Sequence, residues 1–397
     1  MFSPAPTTPA ARSDNRGTCR RRWLQWFSVL PWGTGTLALG APVPASSPRA
    51  LVFPADHGAH PDSRIEWWYV TGALQAGPLA DSAIEPTHGF QITFFRSRTD
   101  VSADHPSRFA AQQLVFAHAA LTDLRRGRLL HDQRIARAGF GIAGASTGDA
   151  AVTLRGWHFQ REDAVVVAGA PSGSSATSST SRYRARIASD SAGFAFDFSL
   201  ATTQPLLLQG DAGTSHKGPQ QTSRYYSEPQ LAVSGTLTKQ GAALPVRGTA
   251  WLDHEWSDSV LPPGAVGWNW IGMNLNDGSA LTAFRLRAAD GSTVYAGGSL
   301  RSASGAFRNF AADEVSFTPG RLWTSPASQG RYPVEWTLQT PAGRHRVVSL
   351  LDAQELDSRR STGTVYWEGL SELRDEGGQR IGRGYLEMTG YAGRLSL

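Results

Sequence analysis

FAFDFSL, residues 194–200, alternates large rings with small or polar side chains. Successive side chains of an extended chain point to opposite sides, so Phe194, Phe196 and Phe198 fall on one face. The same period of two, or a short apolar run, recurs in EWWYVTGAL, HGFQITFFRS, QLVFAHAALTDL, WNWIGMNLNDGSALTAFRLRAADGSTVYAGGSL and YPVEWTLQT. Helical periodicity is scarce. NDG and ADG stand between runs, and Asn and Gly tolerate the positive φ that tight hairpins need. This pattern constrains the chain to an all-β fold of antiparallel barrels or sandwiches.

The first 45 residues stand apart. Arg20, Arg21 and Arg22 directly precede an apolar run that Gly and Pro interrupt. These arginines, followed by Trp23, Leu24 and Gln25, resemble a twin-arginine export signal, with small residues near Ala41 and Ala45 as cleavage sites. Residues 1–45 are expected to send the protein to the periplasm and to be removed. They hold the only cysteine, Cys19, so the mature chain is expected to have neither a disulfide nor a cysteine-ligated metal. Of the formal charge of +5, five arginines and one aspartate lie in this leader, which leaves the remainder at +1. That balance gives no basis for nucleic-acid binding. No later stretch reads as a transmembrane helix. Association with a membrane surface stays open, and the oligomeric state is not legible.

A faint repeat suggests two domains. VTGAL at 70–74 is echoed by VSGTL at 233–237, and RYRARIASDSAG at 182–193 by RYPVEWTLQTPAG at 331–343. The offsets are similar. This reads as related β domains at 50–226 and 227–397, joined near SRYYSEPQL. The Ser/Gly stretch at 168–181 and GDAGTSHKGPQQTS at 210–223 read as loops.

WLDHEWSD, 251–258, places acids and a histidine between two tryptophans. On a strand, Asp253, Glu255 and Ser257 face one way, and His254 and Trp256 the other. His254 and Trp256 are then placed to enter a cavity while Asp253 and Glu255 face a neighbouring element. Together with GWNWIG behind it, the motif offers what adding water to an alkene requires. Burial among aromatics keeps a carboxylic acid protonated near neutral pH. Indole faces stabilise the carbocation that protonation creates. Clusters of this kind also lock barrel ends by hydrogen bonding, so a structural role stands beside the catalytic one.

The candidate catalytic residues are therefore His254, Trp256, Asp253 and Glu255. Trp251, Trp268, Trp270, His118, Tyr366, Trp367 and Glu368 are candidates for ligand binding, with Tyr385, Glu387 and Glu355 repeating the pairing of acid and aromatic. DHGAHPDSRIEWWY offers Asp56, His57, His60 and Asp62. Gly58 and Pro61 break any helix that would align the two histidines on a metal, so a loop lock is expected, with Glu66 pairing to a basic or backbone donor. No GxSxG elbow, phosphate loop or dinucleotide fingerprint is present. No cofactor and no metal are expected.

FPADHGAHPDSRIEWWYVTGAL, FAHAALTDL, YYSEPQLAVSGTL, AWLDHEWSD, DAQEL, TVYWEGL and GYLEMTGY resemble the exported, lipocalin-like AttH-like proteins, from about Phe53 to Tyr391. That family is related to the carotenoid 1,2-hydratases, or hydroxyneurosporene synthases. The resemblance implies two calycin-type antiparallel β-barrels in tandem. It also implies a His-x-Trp pair for the hydratases, which His254 and Trp256 match, and a Tyr and an Asp on the strand after the next hairpin. Here that strand reads ALTAFRLR, so Asp253, Glu255 or Asp258 would have to supply the proton. Three readings result. One is an exported carrier of an apolar lipid- or isoprenoid-like molecule. The others are a hydro-lyase acting on an isoprenoid double bond and a non-catalytic envelope protein.

Overall fold

The computed structural model describes residues 49–77, 85–163, 181–259 and 261–393. The proposed export leader with Cys19 and nearly all of the Ser/Gly stretch at 168–181 lie outside them. Among the described residues the regular elements are antiparallel strands and two short 3-10 turns, Ala55–His57 and Ala312–Glu314.

The first sheet contains β1 (Ile65–Ala76), β2 (His88–Arg98), β3 (Gln113–Asp123), β4 (Arg128–Arg137), β5 (Ala143–Ala145), β6 (Ala151–Leu154), β7 (Trp157–Asp163), β8 (Ser181–Ser189), β9 (Phe194–Ala201), β10 (Leu207–Leu208), β11 (Thr214–His216), β12 (Thr222–Lys239) and β13 (Ala242–Ser257). Its order is β4-β3-β2-β1-β13-β12-β9-β8-β7-β6-β5, with β10 and β11 on β12. The sheet curls into a nearly closed barrel. Arg134 of β4 spans the seam, donating to the carbonyls of Arg155 and Ala188 and lying 4.3 Å over the Trp157 ring. The core is apolar, with Phe196 stacked between Phe194 and Phe198 at 4.9 and 4.8 Å as the alternation predicts.

Burial along a strand reports what covers it. β8 and β9 alternate buried and more exposed residues, as strands with one wet face do. β1 and the second half of β13 are buried on both faces. The second sheet supplies the extra cover. It holds β14 (Gly267–Leu275), β15 (Ala280–Arg287), β16 (Thr293–Arg301), β17 (Phe307–Phe310) and β18 (Ser316–Pro319). A ribbon of β19 (Leu322–Thr324) and β20 (Arg331–Pro333) follows. The second sheet then continues with β21 (Glu335–Thr340), β22 (Gly343–Ser349), β23 (Glu355–Ser358), β24 (Thr364–Arg374) and β25 (Arg380–Met388). Its order is β17-β16-β15-β14-β25-β24-β22-β21-β18, around a core of its own that includes Trp336 and Trp367. NDG and ADG close hairpins as expected, with Gly278 at φ 88° and Gly291 at φ 85°. A third apolar cluster, including Tyr69, Trp251, Trp270, Phe284 and Tyr385, joins the two sheets.

The expectation of an all-β fold of two antiparallel β-barrels is met by a nearly closed first barrel and a second antiparallel sheet, but the division at 226/227 falls inside β12. β12 and β13 complete the first sheet, and the chain changes sheets between Ser257 and Gly267. The echo of VTGAL by VSGTL is therefore no copy boundary, because both segments lie in the first sheet, on β1 and β12. Their shared glycine marks close approach. A Cβ on Gly72 would sit 2.5 Å from Phe90, and one on Gly235, at φ 139°, 2.1 Å from the Asp197 carbonyl.

Candidate functional site

β13 pairs with β1 in a register that sets His254 opposite Trp68, and Asp253 opposite Tyr69. Alternation then sends the motif's side chains to two different places. His254 and Trp256 enter the first barrel, whereas Asp253 and Glu255 face the second sheet. The expected assignment of cavity and neighbour is inverted, because the open space lies between the sheets while the barrel interior is filled.

Inside the barrel, Glu66 is the hub. It accepts from Arg96 Nε at 2.7 Å, from His254 Nε2 at 2.9 Å, and from the backbone and ring nitrogens of His60. His60 also meets Asp56 at 2.9 Å and stacks on Trp256 at 3.7 Å. Arg49 pairs with Asp56. Burial alone would push the Glu66 carboxyl up; the hydrogen bonds from His254 and His60 and the charge of Arg96 outweigh it and hold the group well below the carboxylate range. Burial lowers His254, which, as a neutral imidazole, can donate Nε2–H to Glu66 and accept at Nδ1 from Tyr226, 3.1 Å away. This is the loop lock expected of Glu66. His60, Glu66 and His254 offer donor atoms within 4.8 Å of one another and could hold a metal ion. Those atoms are also satisfied by protein partners, with Arg96 on the second oxygen of Glu66.

Outside the barrel wall lies the cavity. It encloses about 930 Å³ of empty space including its opening, of which the centres of water-sized molecules can occupy about 100 Å³. It is thus a narrow slot. Its walls are aromatic: Trp67 and Tyr69 from β1, Phe95 from β2, Tyr225 from β12, Trp268 and Trp270 from β14, Phe284 from β15 and Tyr366 from β24. Four carboxyl groups line it, from Asp253, Glu255, Glu368 and Glu387, with Lys217 as its one lining cation.

These acids differ in how they are held. Asp253 accepts from Trp251 Nε1 at 2.6 Å, Ser227 Oγ at 2.5 Å and Tyr225 Oη at 2.8 Å. Burial outweighs these bonds and, with the charge of Glu255, pushes its carboxyl up to about 7. Glu255 pairs with Lys217 at 2.9 Å, and the Lys217 ammonium lies 4.4 Å over the Phe284 ring. Glu368 and Glu387 are direct cross-strand partners on β24 and β25, a position where like charges repel. Burial pushes Glu387 up to about 7, against a hydrogen bond from Trp268. Glu368 is pushed well above the ordinary range by burial and by the neighbouring Glu387. No partner reaches its oxygens with ordinary hydrogen-bond geometry; the Tyr69 hydroxyl is the one donor near enough to temper the rise. Against aromatic faces the slot therefore holds Glu368, which keeps its proton at neutral pH, beside Asp253 and Glu387, which titrate there.

The structure brings together Asp253, Glu255, Trp268, Trp270, Tyr366, Glu368 and Glu387. It separates the others. His254 and Trp256 belong to the barrel lock. Trp367, expected on the ligand, points the opposite way from Tyr366 and Glu368, into the second core, where its Nε1 donates to the Asp352 carbonyl at 2.7 Å. His118 is spent at the junction, bonded to Tyr366 Oη and Ser361 Oγ at 2.8 Å each. Trp251 lines a polar groove beside the junction, and Tyr385 packs in the joining cluster. Glu355 accepts from serines of the 325–328 loop, and Asp258 and Asp62 are exposed. Sequence reasoning missed Tyr69, Tyr225 and Lys217. A signal for the last was available: the chain has only two lysines among 38 basic residues, Lys217 and Lys239, and both form ion pairs with buried acids.

The AttH-like family model matches residues 44–391. An AttH-type protein from Nitrosomonas europaea, known as a crystal structure, is 48% identical to the chain, with 88% of this chain and 98% of that one covered and a TM-score of 0.75. Kievitone hydratase from Nectria haematococca shares the fold at 15% identity and TM-score 0.61, covering 87% of this chain and 94% of that one. No curated protein matches the chain.

Proposed function

The chain belongs to the AttH-like family, and from that premise we propose that its inter-sheet slot binds a small, apolar, unsaturated molecule of isoprenoid type and adds water to one of its double bonds. The observation that carries this reading is Glu368. A slot that only stores an apolar ligand gains nothing from a buried acid with a single hydroxyl, that of Tyr69, near it and no well-formed hydrogen bond, and such a group costs stability. An acid that must donate its proton to a carbon needs that isolation.

The chemistry follows from the groups present. Glu368 gives its proton to the less substituted alkene carbon, leaving a tertiary carbocation. The indoles of Trp268 and Trp270 face the charge. Water adds to the cation and releases a proton to ionised Glu387. Transfer across the β24–β25 pair then restores the Glu368 proton. The net change is alkene plus water to tertiary alcohol. The acid and the tyrosine missing from β15 have counterparts here in Glu368 and Glu387 and in Tyr69, Tyr225 and Tyr366.

The test is incubation of the protein with short acyclic isoprenoids, reading binding by quenching of tryptophan fluorescence and turnover by a product heavier by one water. Product formation supports the reading. Binding without product leaves a carrier, and absence of binding to every apolar probe removes the slot from consideration. The leader further supports action outside the cytoplasm. A reporter active only after twin-arginine export, fused behind residues 1–45, tests that.

A further inference from the structure

Three apolar side chains stand outside both cores, close to one another. Phe109 is 75% exposed, Phe140 53% and Ile142 45%. The two rings stack at 5.5 Å with planes 5° apart. Phe140 holds φ 58° between Gly139 at 104° and Gly141 at 71°. A bulky residue is unusual in that region of backbone space, so the loop keeps an aromatic outward at some cost. The Arg137 guanidinium lies 4.4 Å over Phe140 and 5.8 Å from Phe109, and it donates to the Arg108 carbonyl at 2.7 Å. The Arg155 amide bonds the Ile142 carbonyl at 2.8 Å, which brings a third chain segment to the knob.

The charge around the knob is mostly positive, with Asp132 and Asp190 near Arg134. Segments 105–112, 134–145 and 153–158 carry Arg108, Arg134, Arg137 and Arg155 and no acid. Asp104 and Asp132 flank these segments and lie outside them. The position also matters. β1 begins, and β2 and β4 end, at this edge of the first barrel, and β1 and β2 contribute Ile65 and Phe95 to the slot from the same edge.

We propose that this knob is a docking surface for an anionic lipid surface, with Phe109, Phe140 and Ile142 entering the headgroup boundary and the surrounding arginines meeting lipid phosphates. Exposed rings flanked by an excess of cations match such an interface. Long arginine stems reach past apolar groups to the charged layer. A nucleic acid fits less well, because base stacking needs a free ring face. Here the rings stack on each other and under Arg137. The inference is independent of the slot's chemistry.

The experiment is flotation of the full chain with vesicles of phosphatidylglycerol and phosphatidylcholine in equal parts, beside vesicles of phosphatidylcholine alone. The variants are Phe109→Ser with Phe140→Asn, Asn being tolerant of positive φ, and separately Arg108→Gln. The native chain is expected to float with anionic vesicles at least tenfold more than the double variant, and less as salt rises. Arg108→Gln is expected to give a smaller loss, with thermal melting unchanged in all. Equal flotation of native and double variant overturns the proposal. So does equal binding to neutral vesicles, or binding of polyuridylate without binding of vesicles.

Discussion

The two faces of β13 carry similar chemistry to opposite ends. Inward, His254 joins Glu66, Arg96, His60 and Tyr226 in a network where each charge has a partner. Outward, Asp253 is held by three donors, yet the slot it lines also contains Glu368, which has only the Tyr69 hydroxyl near it and no well-formed hydrogen bond. One cluster lowers its carboxyl groups and the other raises them. Both are buried, so burial alone does not set the direction. Donors decide it: His254 and His60, with the charge of Arg96, lower Glu66, and Arg49 and His60 lower Asp56, while among the described residues the slot's one lining cation is Lys217, engaged with Glu255.

That contrast can be broken most severely at Glu368. Glu368→Gln is expected to lower turnover by about 10²–10⁴-fold, the usual worth of a general acid, and to leave the urea midpoint unchanged or higher at pH 8. A midpoint that collapses would make Glu368 structural. Glu66→Ala is expected to behave in the reverse sense. It leaves Arg96 buried without its carboxylate, which costs about 3–5 kcal/mol, read as urea stability, while the folded fraction still binds ligand. Unchanged stability would end the lock interpretation.

The pH dependence sharpens the same contrast. Glu66 and Asp56 have folded pKa values below their ordinary ones. Their contribution is complete above about pH 5 and fades as pH falls further. Asp253 and Glu387 are pushed up to about 7. In that group the folded state binds more protons, so stability declines as pH rises from about 4, near the unfolded values, to 7. Glu66→Gln should flatten the acid limb of a stability–pH curve, and Glu387→Gln the limb between 4 and 7. Turnover should rise as pH passes 7, where Glu387 ionises and can accept a proton, and fall only where Glu368 loses its own. Last and smallest, Lys217→Met is expected to cost about 1–3 kcal/mol of stability, because it leaves the buried Glu255 without its cation. A larger loss would place Lys217 with the lock.

Much of the fold was legible because local rules governed it. FAFDFSL alternates as read, and NDG and ADG turn where expected. The site was half legible. Asp253, Glu255, Trp268, Trp270, Tyr366 and Glu368 meet in the slot, while Trp367 fails for the reason that makes its neighbours succeed: on β24 it has the opposite parity. Tyr69 and Tyr225 went unnoticed because nothing in EWWYV or RYYSE tells which ring of a run faces the partner sheet. The boundary at 226/227 missed because the β12–β13 hairpin is continuous with strands on both its sides.

The sequence by itself determined strand, turn and parity, since the backbone's period of two and the φ that glycine tolerates are local properties. It also determined that Asp253 and His254 part company. Which of them meets open space was decided only by tertiary structure. Both faces of β13 are covered, and the covering residues come from Glu66 far upstream and from Glu368 and Glu387 far downstream. Ionisation of a buried carboxyl depends on what the folded chain sets beside it, and that register is not written in the eight residues that carry the motif.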